Sequence, residues 1–315
     1  MKKIIFQILL SLGITNLFRI WQRKNLTIVL YHGVRPAADK TSIDIRGKHI
    51  HEKIFREHIR YLKKHYHVLG WSEAIDFLKT KKSFPANALC ITFDDGYANH
   101  ALAGRILHEL QVPAIFYVTS GFIDGRSLWT DRFECAHTKL HGEDLMKDQA
   151  LRQTLKDMPQ SEREKIIQEL EVQARVSSHV SPPLLQPMTW DQVRALIKQG
   201  HEIGAHTVTH PILSRESEET VKQELNEGKR KIEQETGIAC HHFAYPNGQP
   251  QDFTRETIRF VQEAGFASAV TTITGGVEIG NDPYTLKRIS LDHCLDIPTL
   301  AATVSGVRHL LSTIL

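Results

Sequence analysis

Two histidines four residues apart are the first residues of this chain whose types and spacing suggest chemistry. They are His206 and His210 in "HTVTH", directly after the apolar run "HEIGA". This spacing lets both imidazoles hold one divalent ion from a helix or a tight turn. With one carboxylate added, the ligand set leaves coordination positions open for water and substrate. The pattern therefore predicts a catalytic metal site.

Two adjacent aspartates offer the missing carboxylate. Asp94 and Asp95 end the apolar run in "LCITFDDGYAN". One can bind the ion, while the other stays ionised beside the cation and can accept a proton from an attacking water. The alternative is structural, because aspartate commonly caps a helix and one is expected to start near Tyr97. The histidine pair favours the catalytic interpretation, since a turn or cap needs no partner histidines.

These residues need elements that bring them together, and the chain alternates strand-like and helix-like segments. The strand-like runs are "TIVLYHGV", "NALCITFDD", "PAIFYVTSGF", "HEIGAHT", "HHFAYP", "FASAVTT" and "YTLKRISLD". Alternation of this kind is typical of parallel βα units. About seven repeats predict an α/β fold with a barrel or barrel-like closed sheet. Active residues of such barrels gather where strands end. The polar residues at those ends are His32, Asp94, Asp95, His206, His210 and the run Tyr245-Pro246-Asn247.

A long charged stretch interrupts the alternation. Residues 124–187 are helical in pattern and end in the turn-rich "SPPLLQP". We interpret this stretch as a helical insert in a catalytic domain spanning residues 26–315. An insert of this size is often a lid or an accessory surface, but a solvated helical hairpin fits the pattern equally well.

The N-terminal segment, residues 1–25, is hydrophobic and basic. Its uncharged part is about 22 Å long as a helix, which is short of the ~30 Å hydrocarbon core of a bilayer. No acidic residue precedes Asp39, and Trp21 lies beside a basic cluster. We expect a helix that lies on the membrane surface. The alternatives are a signal peptide or uncleaved anchor, or a plain core helix.

Charge and cysteine content restrict the remaining classes. The formal net charge is +3, which gives no reason to expect a nucleic acid partner. The four cysteines are scattered and form no CxxC motif, so we expect free thiols and a reducing compartment.

Three motifs carry a family resemblance. "TFDDGY", "HTVTH" and "FAYPNG" occur in that order at strand ends. They resemble the first three motifs of the polysaccharide deacetylase family, the NodB-like carbohydrate esterases, and the likeness covers residues 26–292. The nearest branch is that of the poly-N-acetylglucosamine deacetylases. The resemblance implies a distorted (β/α) barrel and a hydrolase that uses a divalent metal to remove N-acetyl groups from N-acetylglucosamine-containing glycans.

The resemblance also implies roles for individual residues. Asp94 matches the general base, and the metal ligands match Asp95, His206 and His210.

Substrate contacts follow from the third motif and the insert. The backbone N–H of Asn247 matches the donor that stabilises the oxyanion, and Tyr245 and Pro246 would form the pocket wall. In "SLWTDRFECAH", Trp129 and Asp131 could line the sugar site by stacking and by hydrogen bonding to hydroxyls. Alternatively, Trp129 packs the insert onto the barrel.

Two departures from the family pattern leave roles to be assigned. The arginine that usually holds the base is absent from residues 242–244, and Arg288 in "LKRIS" is the best replacement. The late histidine that usually acts as general acid matches His293 only loosely. His32 in "LYHGV" is the preferred acid, because it lies at a strand end and resembles the acid of the poly-N-acetylglucosamine deacetylases; His293 is the alternative.

The sequence thus predicts a metal-dependent glycan N-deacetylase, a hydrolase acting on non-peptide carbon–nitrogen bonds. A deformylase or deacetylase of a lipid-linked sugar, and a glycan-binding pseudoenzyme, are the alternatives. Zinc is the expected metal, and cobalt, nickel or iron also suit the ligand set. We expect a peripheral protein on the cytoplasmic face of the membrane; the alternative is export, or anchoring through an uncleaved signal.

Overall fold

The computed structural model describes residues 2–39, 47–142, 145–176 and 182–314. Its strands are β1 (Thr27–Tyr31), β2 (Gly33–Arg35), β3 (His49–His51), β4 (His67–Val68), β5 (Ala88–Phe93), β6 (Ile115–Val118), β7 (Glu202–Ala205), β8 (His242–Ala244), β9 (Ser268–Val270) and β10 (Ile289–Ser290).

Helices flank and connect these strands. They are α1 (Lys2–Ser11), α2 (Ile14–Trp21), α3 (Glu52–His65), α4 (Trp71–Thr80), α5 (His100–Glu109), α6 (Ser120–Ile123), α7 (Trp129–His141), α8 (Leu145–Lys156), α9 (Gln160–Ala174), α10 (Trp190–Lys198), α11 (Glu218–Thr236), α12 (Arg255–Glu263), α13 (Ile297–Val304) and α14 (Val307–Ile314), with 3₁₀ turns at Pro183–Leu185 and Leu213–Arg215.

The main sheet is parallel and has the strand order β10-β1-β5-β6-β7-β8-β9, with β4 beside β5. Each carboxyl end therefore lies at the same edge of the sheet. The sheet curls back on itself, because Leu286 pairs with Val270 of β9 while Ile289 pairs with Val29 of β1. This is the expected distorted (β/α) barrel.

The side chains of β5 point alternately towards the helices and into the barrel interior. Leu89, Ile91 and Phe93 pack outward among the helices, whereas Cys90 packs with interior residues. Because side chains alternate along a strand, Asp94 continues the interior row of Cys90 and Thr92. The polar end of the strand is thus directed into the barrel mouth.

The helical stretch between residues 124 and 187 contains α7, α8 and α9. Trp129, Phe133, Leu155 and Ile167 form a small core there with Ile212 of the barrel. The segment therefore packs on the domain through apolar contacts. Its role as a lid or accessory surface stays a prediction, and so do the domain bounds.

Three local predictions need correction. Helix α5 begins at His100 with Asn99 as its N-cap, so neither aspartate of "DDG" caps a helix near Tyr97. The last strand of the sequence pattern is shortened to Ile289–Ser290, because the preceding residues cross from β9 to β1. The sequence also predicts one last helix over "IPTLAATVSGVRHLLSTI", but the structure divides it into α13 and α14 at Gly306, whose φ of 79° breaks the helical path.

The N-terminal segment forms α1 and α2, which pack against α13. Within the described residues, no single helix is both long and apolar enough to cross a membrane. The two helices pass that test only when they are taken together, across a 73° bend. All four cysteines are free thiols, as predicted.

Candidate active site

Asp94 directly follows β5 and contacts Arg288, which directly precedes β10. Arg288 donates two hydrogen bonds to its carboxylate, from Nη1 to Oδ1 at 2.7 Å and from Nη2 to Oδ2 at 2.6 Å. Arg288 is itself fixed by Thr271 O and Thr92 Oγ1, at 2.7 and 3.0 Å. Burial raises the pKa of Asp94, but the charge and hydrogen bonds of Arg288 outweigh burial and lower it. Asp94 is therefore an ionised, oriented carboxylate at neutral pH.

Asp95 faces a different set of partners. Its φ of 81° turns it away from the path of Asp94, and its Oδ1 lies 3.4 Å from Nε2 of both His206 and His210. One ligand atom of each of the three residues lies within 4.8 Å of the others, and all three residues are buried. The adjacent aspartates thus have separate surroundings.

The protonation states of this cluster suit a divalent cation. Burial and the neighbouring His206 lower the pKa of His210 to about 3, so its imidazole is neutral. Burial raises the pKa of Asp95, but the neighbouring side chains of His206 and His210 bring it well below its usual value. Nδ1 of His206 lies 2.8 Å from Ala244 O and can donate to it, which leaves Nε2 with a lone pair towards Asp95. The residues present therefore fit a divalent metal, and this donor set suits zinc, cobalt, nickel and iron.

"HTVTH" forms a tight turn rather than a helix, and its backbone is held from outside. Glu224 of α11 accepts hydrogen bonds from the N–H groups of Val208 and Thr209, at 2.7 and 2.9 Å, and from the Thr209 hydroxyl at 2.6 Å. The indole of Trp129 donates to His210 O at 3.0 Å. Because His210 has a φ of 59°, these bonds hold it in a backbone conformation that non-glycine residues rarely adopt.

His32 lies at the end of β1 and pairs with a residue that the sequence analysis missed. Its Nδ1 is 2.7 Å from Asp292 Oδ2, and its backbone N–H donates to Asp292 Oδ1 at 3.0 Å. Burial lowers the pKa of His32, but the charge and hydrogen bond of Asp292, with smaller effects of Asp95 and Asp94, raise it to about 9. His32 is therefore a protonated, oriented imidazolium beside the two aspartates.

His293 follows Asp292 but has a different position. Its side chain is exposed, beside Gly47. The geometry accordingly favours His32 over His293 as the proton donor.

The third motif forms a turn after β8. Asn247 has a φ of 58°, and its carbonyl accepts a hydrogen bond from Thr272 Oγ1. Within the described residues, its backbone N–H donates to no backbone or side-chain acceptor, so it is available for an oxyanion. Tyr245 is fully buried and stacks on Phe253 at 4.4 Å, and Pro246 is also buried.

Trp129 and Asp131 are engaged by the protein rather than open to a sugar. Trp129 is 5% exposed, and the guanidinium of Arg163 lies 4.5 Å from its ring centre. This arrangement matches the packing alternative. Asp131 is buried and accepts a hydrogen bond from Lys48 at 3.0 Å and another from Tyr97 at 2.8 Å. Its oxygens are therefore occupied by Lys48 and Tyr97.

The sequence analysis did not select Asp292 or Glu224, although both contact residues of the site. Asp292 stands at a strand end in "ISLDH", so the strand-end argument could have selected it. Glu224 lies in the middle of an exposed amphipathic helix, and no local pattern distinguishes it from its neighbours.

This chain matches a family model, and its fold is similar to those of solved structures. A family model for polysaccharide deacetylase matches residues 81–269. The uncharacterized protein YlxY of Bacillus subtilis (strain 168) is 29% identical over 80 residues, which are 25% of this chain and 24% of that protein. This match spans about a quarter of the curated relative.

Solved structures agree over most of the chain. IcaB from Ammonifex degensii is 18% identical with a TM-score of 0.61, covering 90% of this chain and 96% of that one. The de-N-acetylase from Aggregatibacter actinomycetemcomitans is 20% identical with a TM-score of 0.58, covering 84% and 94%. The deacetylase PplD of Streptococcus pyogenes, in complex with acetate, is 17% identical with a TM-score of 0.57, covering 84% and 92%. At these identities the likeness shows the fold. Because the family model covers more than half of the chain, including both aspartates and the histidine pair, the chain belongs to the polysaccharide deacetylase family.

Proposed function

We propose that this protein is a metal-dependent hydrolase that removes N-acetyl groups from N-acetylglucosamine-containing glycans. The observation that carries the proposal is the separation of the two adjacent aspartates. Asp94 is held by Arg288, whereas Asp95 faces His206 and His210. A protein that only bound a glycan would need no ionised base beside a metal site.

The residues divide the proposed reaction among them. A divalent ion held by Asp95, His206 and His210 would polarise the amide carbonyl and acidify a water. Asp94 accepts the proton of the attacking water, since Arg288 keeps its carboxylate ionised and oriented.

Two further groups complete the step. The N–H of Asn247 donates to the oxygen that becomes negatively charged. His32 donates a proton to the departing sugar amine, so the carbon–nitrogen bond breaks with a neutral leaving group and acetate is released. Asp292 holds the His32 ring for that transfer.

The test is acetate release from N-acetylglucosamine oligomers by metal-loaded protein. We expect Asp94→Asn to lose turnover and to keep the metal, and His206→Ala or His210→Ala to lose the metal. Asp191→Asn, at an exposed carboxylate of α10, is the matched control. Full turnover in Asp94→Asn would contradict the base assignment. A wild-type protein that binds metal and oligomers without releasing acetate would identify a glycan-binding pseudoenzyme.

A second candidate is a deformylase or deacetylase of a lipid-linked sugar at the cytoplasmic face of the membrane. The exposed apolar side chains of α1 and α2 favour it, and the four free thiols favour a reducing compartment. Formate and acetate are measured separately, with free oligomers and with vesicles that carry a lipid-linked N-acylated sugar. Preference for the vesicle substrate would favour the second candidate.

A further inference from the structure

We propose that α1 and α2 present a surface that docks on an anionic lipid bilayer. This N-terminal apolar face consists of Ile4, Ile5, Ile8, Leu12, Leu17, Ile20 and Trp21. The proposal concerns where the protein acts and is independent of the proposed chemistry.

The exposed apolar side chains of the protein are concentrated there. Of the ten large apolar side chains that are exposed in the described part of the chain, seven belong to this face. Leu295 precedes Asp296, the partner of Lys3, and Leu310 lies in α14. Val172 belongs to the helical insert. Soluble proteins rarely expose so contiguous an apolar patch without a partner.

The two helices bury one side and expose the other. In α1, Phe6 is buried, while Ile4 and Ile8 are exposed one turn apart and Leu12 continues their row. In α2, Thr15 is buried, whereas Leu17 and Trp21 are 65% and 79% exposed and lie one turn apart. The outward side is therefore apolar on both helices, the reverse of an ordinary surface helix.

Contacts with the domain hold this face in place. Lys3 pairs with Asp296 at 3.7 Å, and the Gln22 amide donates to Ser305 O at 3.3 Å. Arg19 donates to His65 O at 2.8 Å. The helices are about 15 and 12 Å long and bend by 73° at their junction, so they suit an interfacial position better than a crossing.

The charges around the face complement anionic headgroups. Lys3, Arg23 and Lys24 are exposed, and Lys63 and Lys64 are exposed at the end of α3 that Arg19 contacts. The nearby carboxylate of Asp296 is paired with Lys3. Basic residues beside exposed apolar and aromatic side chains are typical of interfacial helices. A bilayer accounts for both the apolar and the basic residues, whereas a second copy of this chain would bring the same basic residues together.

The test is co-sedimentation of the full chain with vesicles of phosphatidylcholine alone or mixed with phosphatidylglycerol. We expect binding to the mixed vesicles that weakens at high salt. Leu17→Gln with Trp21→Gln removes the two most prominent apolar contacts of α2 and should weaken partitioning roughly tenfold or more. Arg23→Gln with Lys24→Gln should weaken binding only to the mixed vesicles. Val172→Gln is the matched control and should bind like the wild type.

Each opposite outcome overturns the proposal. One is a wild type that does not sediment with mixed vesicles, and another is a Leu17→Gln, Trp21→Gln variant that still does. A third is a dimer by light scattering that this variant converts to monomers, which would make the face an interface between copies. Acetate release from soluble oligomers should be unchanged in this variant, so lipid binding and the proposed activity fail separately.

Discussion

Arg288→Gln tests whether Arg288 keeps Asp94, the proposed base, ionised and oriented. The substitution removes both hydrogen bonds to Asp94, a residue that is 2% exposed. Removing one partner of a buried ion pair costs about 3–5 kcal/mol of the free energy of unfolding. Asp94 can avoid the unpaired charge by protonation, which from an ordinary pKa costs about 4 kcal/mol at pH 7. Both routes therefore predict a loss near 4 kcal/mol, or a melting temperature lower by roughly 6 °C for a chain of 315 residues.

The pH dependence of this loss has a definite sign. In the wild type the folded pKa of Asp94 lies below the unfolded one, so its stabilisation is present above the unfolded pKa and is lost as pH falls through the folded pKa. Arg288→Gln removes the main cause that lowers this pKa and leaves only the smaller effects of His206 and His32 against burial, so we expect the folded pKa to rise above the unfolded one. The variant should therefore lose less stability at pH 5 than at pH 8. Its activity should also fall on the acid side at a higher pH than that of the wild type.

Two measurements check this reasoning: melting temperature and acetate release, each from pH 5 to 8. Arg132→Gln is the matched control, because Arg132 also makes a paired contact with a carboxylate, that of Glu171, but within the insert. Adding Asp94→Asn to Arg288→Gln should recover part of the lost stability, since no buried charge is left unpaired. Two results together would refute the role of Arg288 in holding Asp94. The difference in melting temperature between the wild type and Arg288→Gln would be the same at every pH, and the activity of both proteins would fall at the same acidic pH.

Three further substitutions have definite expected outcomes. Asp292→Asn removes the main cause that raises the pKa of His32, so the loss of activity on the alkaline side, expected near pH 9 in the wild type, should move to lower pH; an unmoved limb would exclude His32 as the acid. Glu224→Ala leaves the N–H groups of the histidine turn without their acceptor and should weaken metal affinity about 10- to 100-fold in a chelator competition; unchanged affinity would mean that the turn holds itself. Trp129→Phe removes the indole bond to the same turn and should weaken metal binding by a smaller factor, whereas Trp190→Phe, whose indole donates to an aspartate outside the site, should not.

Much of the fold was predictable because parallel βα units leave a strong local pattern. Buried strands such as "ALCITF" are continuous apolar runs, and the intervening helices repeat their apolar residues at helical spacing. The bounds of the last strand and last helix were less predictable. There the path of the chain depends on which strand edges it joins and on one glycine, rather than on periodicity.

The candidate site was predictable where its residues are neighbours in sequence. Asp94 with Asp95, and His206 with His210, carry their chemistry in their own spacing. Trp129 shows the limit of this reasoning. Its sequence context fits a sugar-stacking ring equally well, and only its burial beneath Arg163 and its bond to His210 favour the packing role.

The sequence by itself determined which groups can react: paired carboxylates at a strand end, a histidine pair with chelating spacing, and the turn that ends at Asn247. Arg288 was a candidate partner of Asp94 only through the family resemblance, and only the tertiary structure decided that it contacts Asp94 and that Asp292 contacts His32. Arg288 lies 194 residues from Asp94, and Asp292 lies 260 residues from His32, yet each pair is in hydrogen-bond contact. The physical reason is the closure of the sheet, which places β10 beside β1 and so brings the last strand end against the first. No local pattern encodes that adjacency.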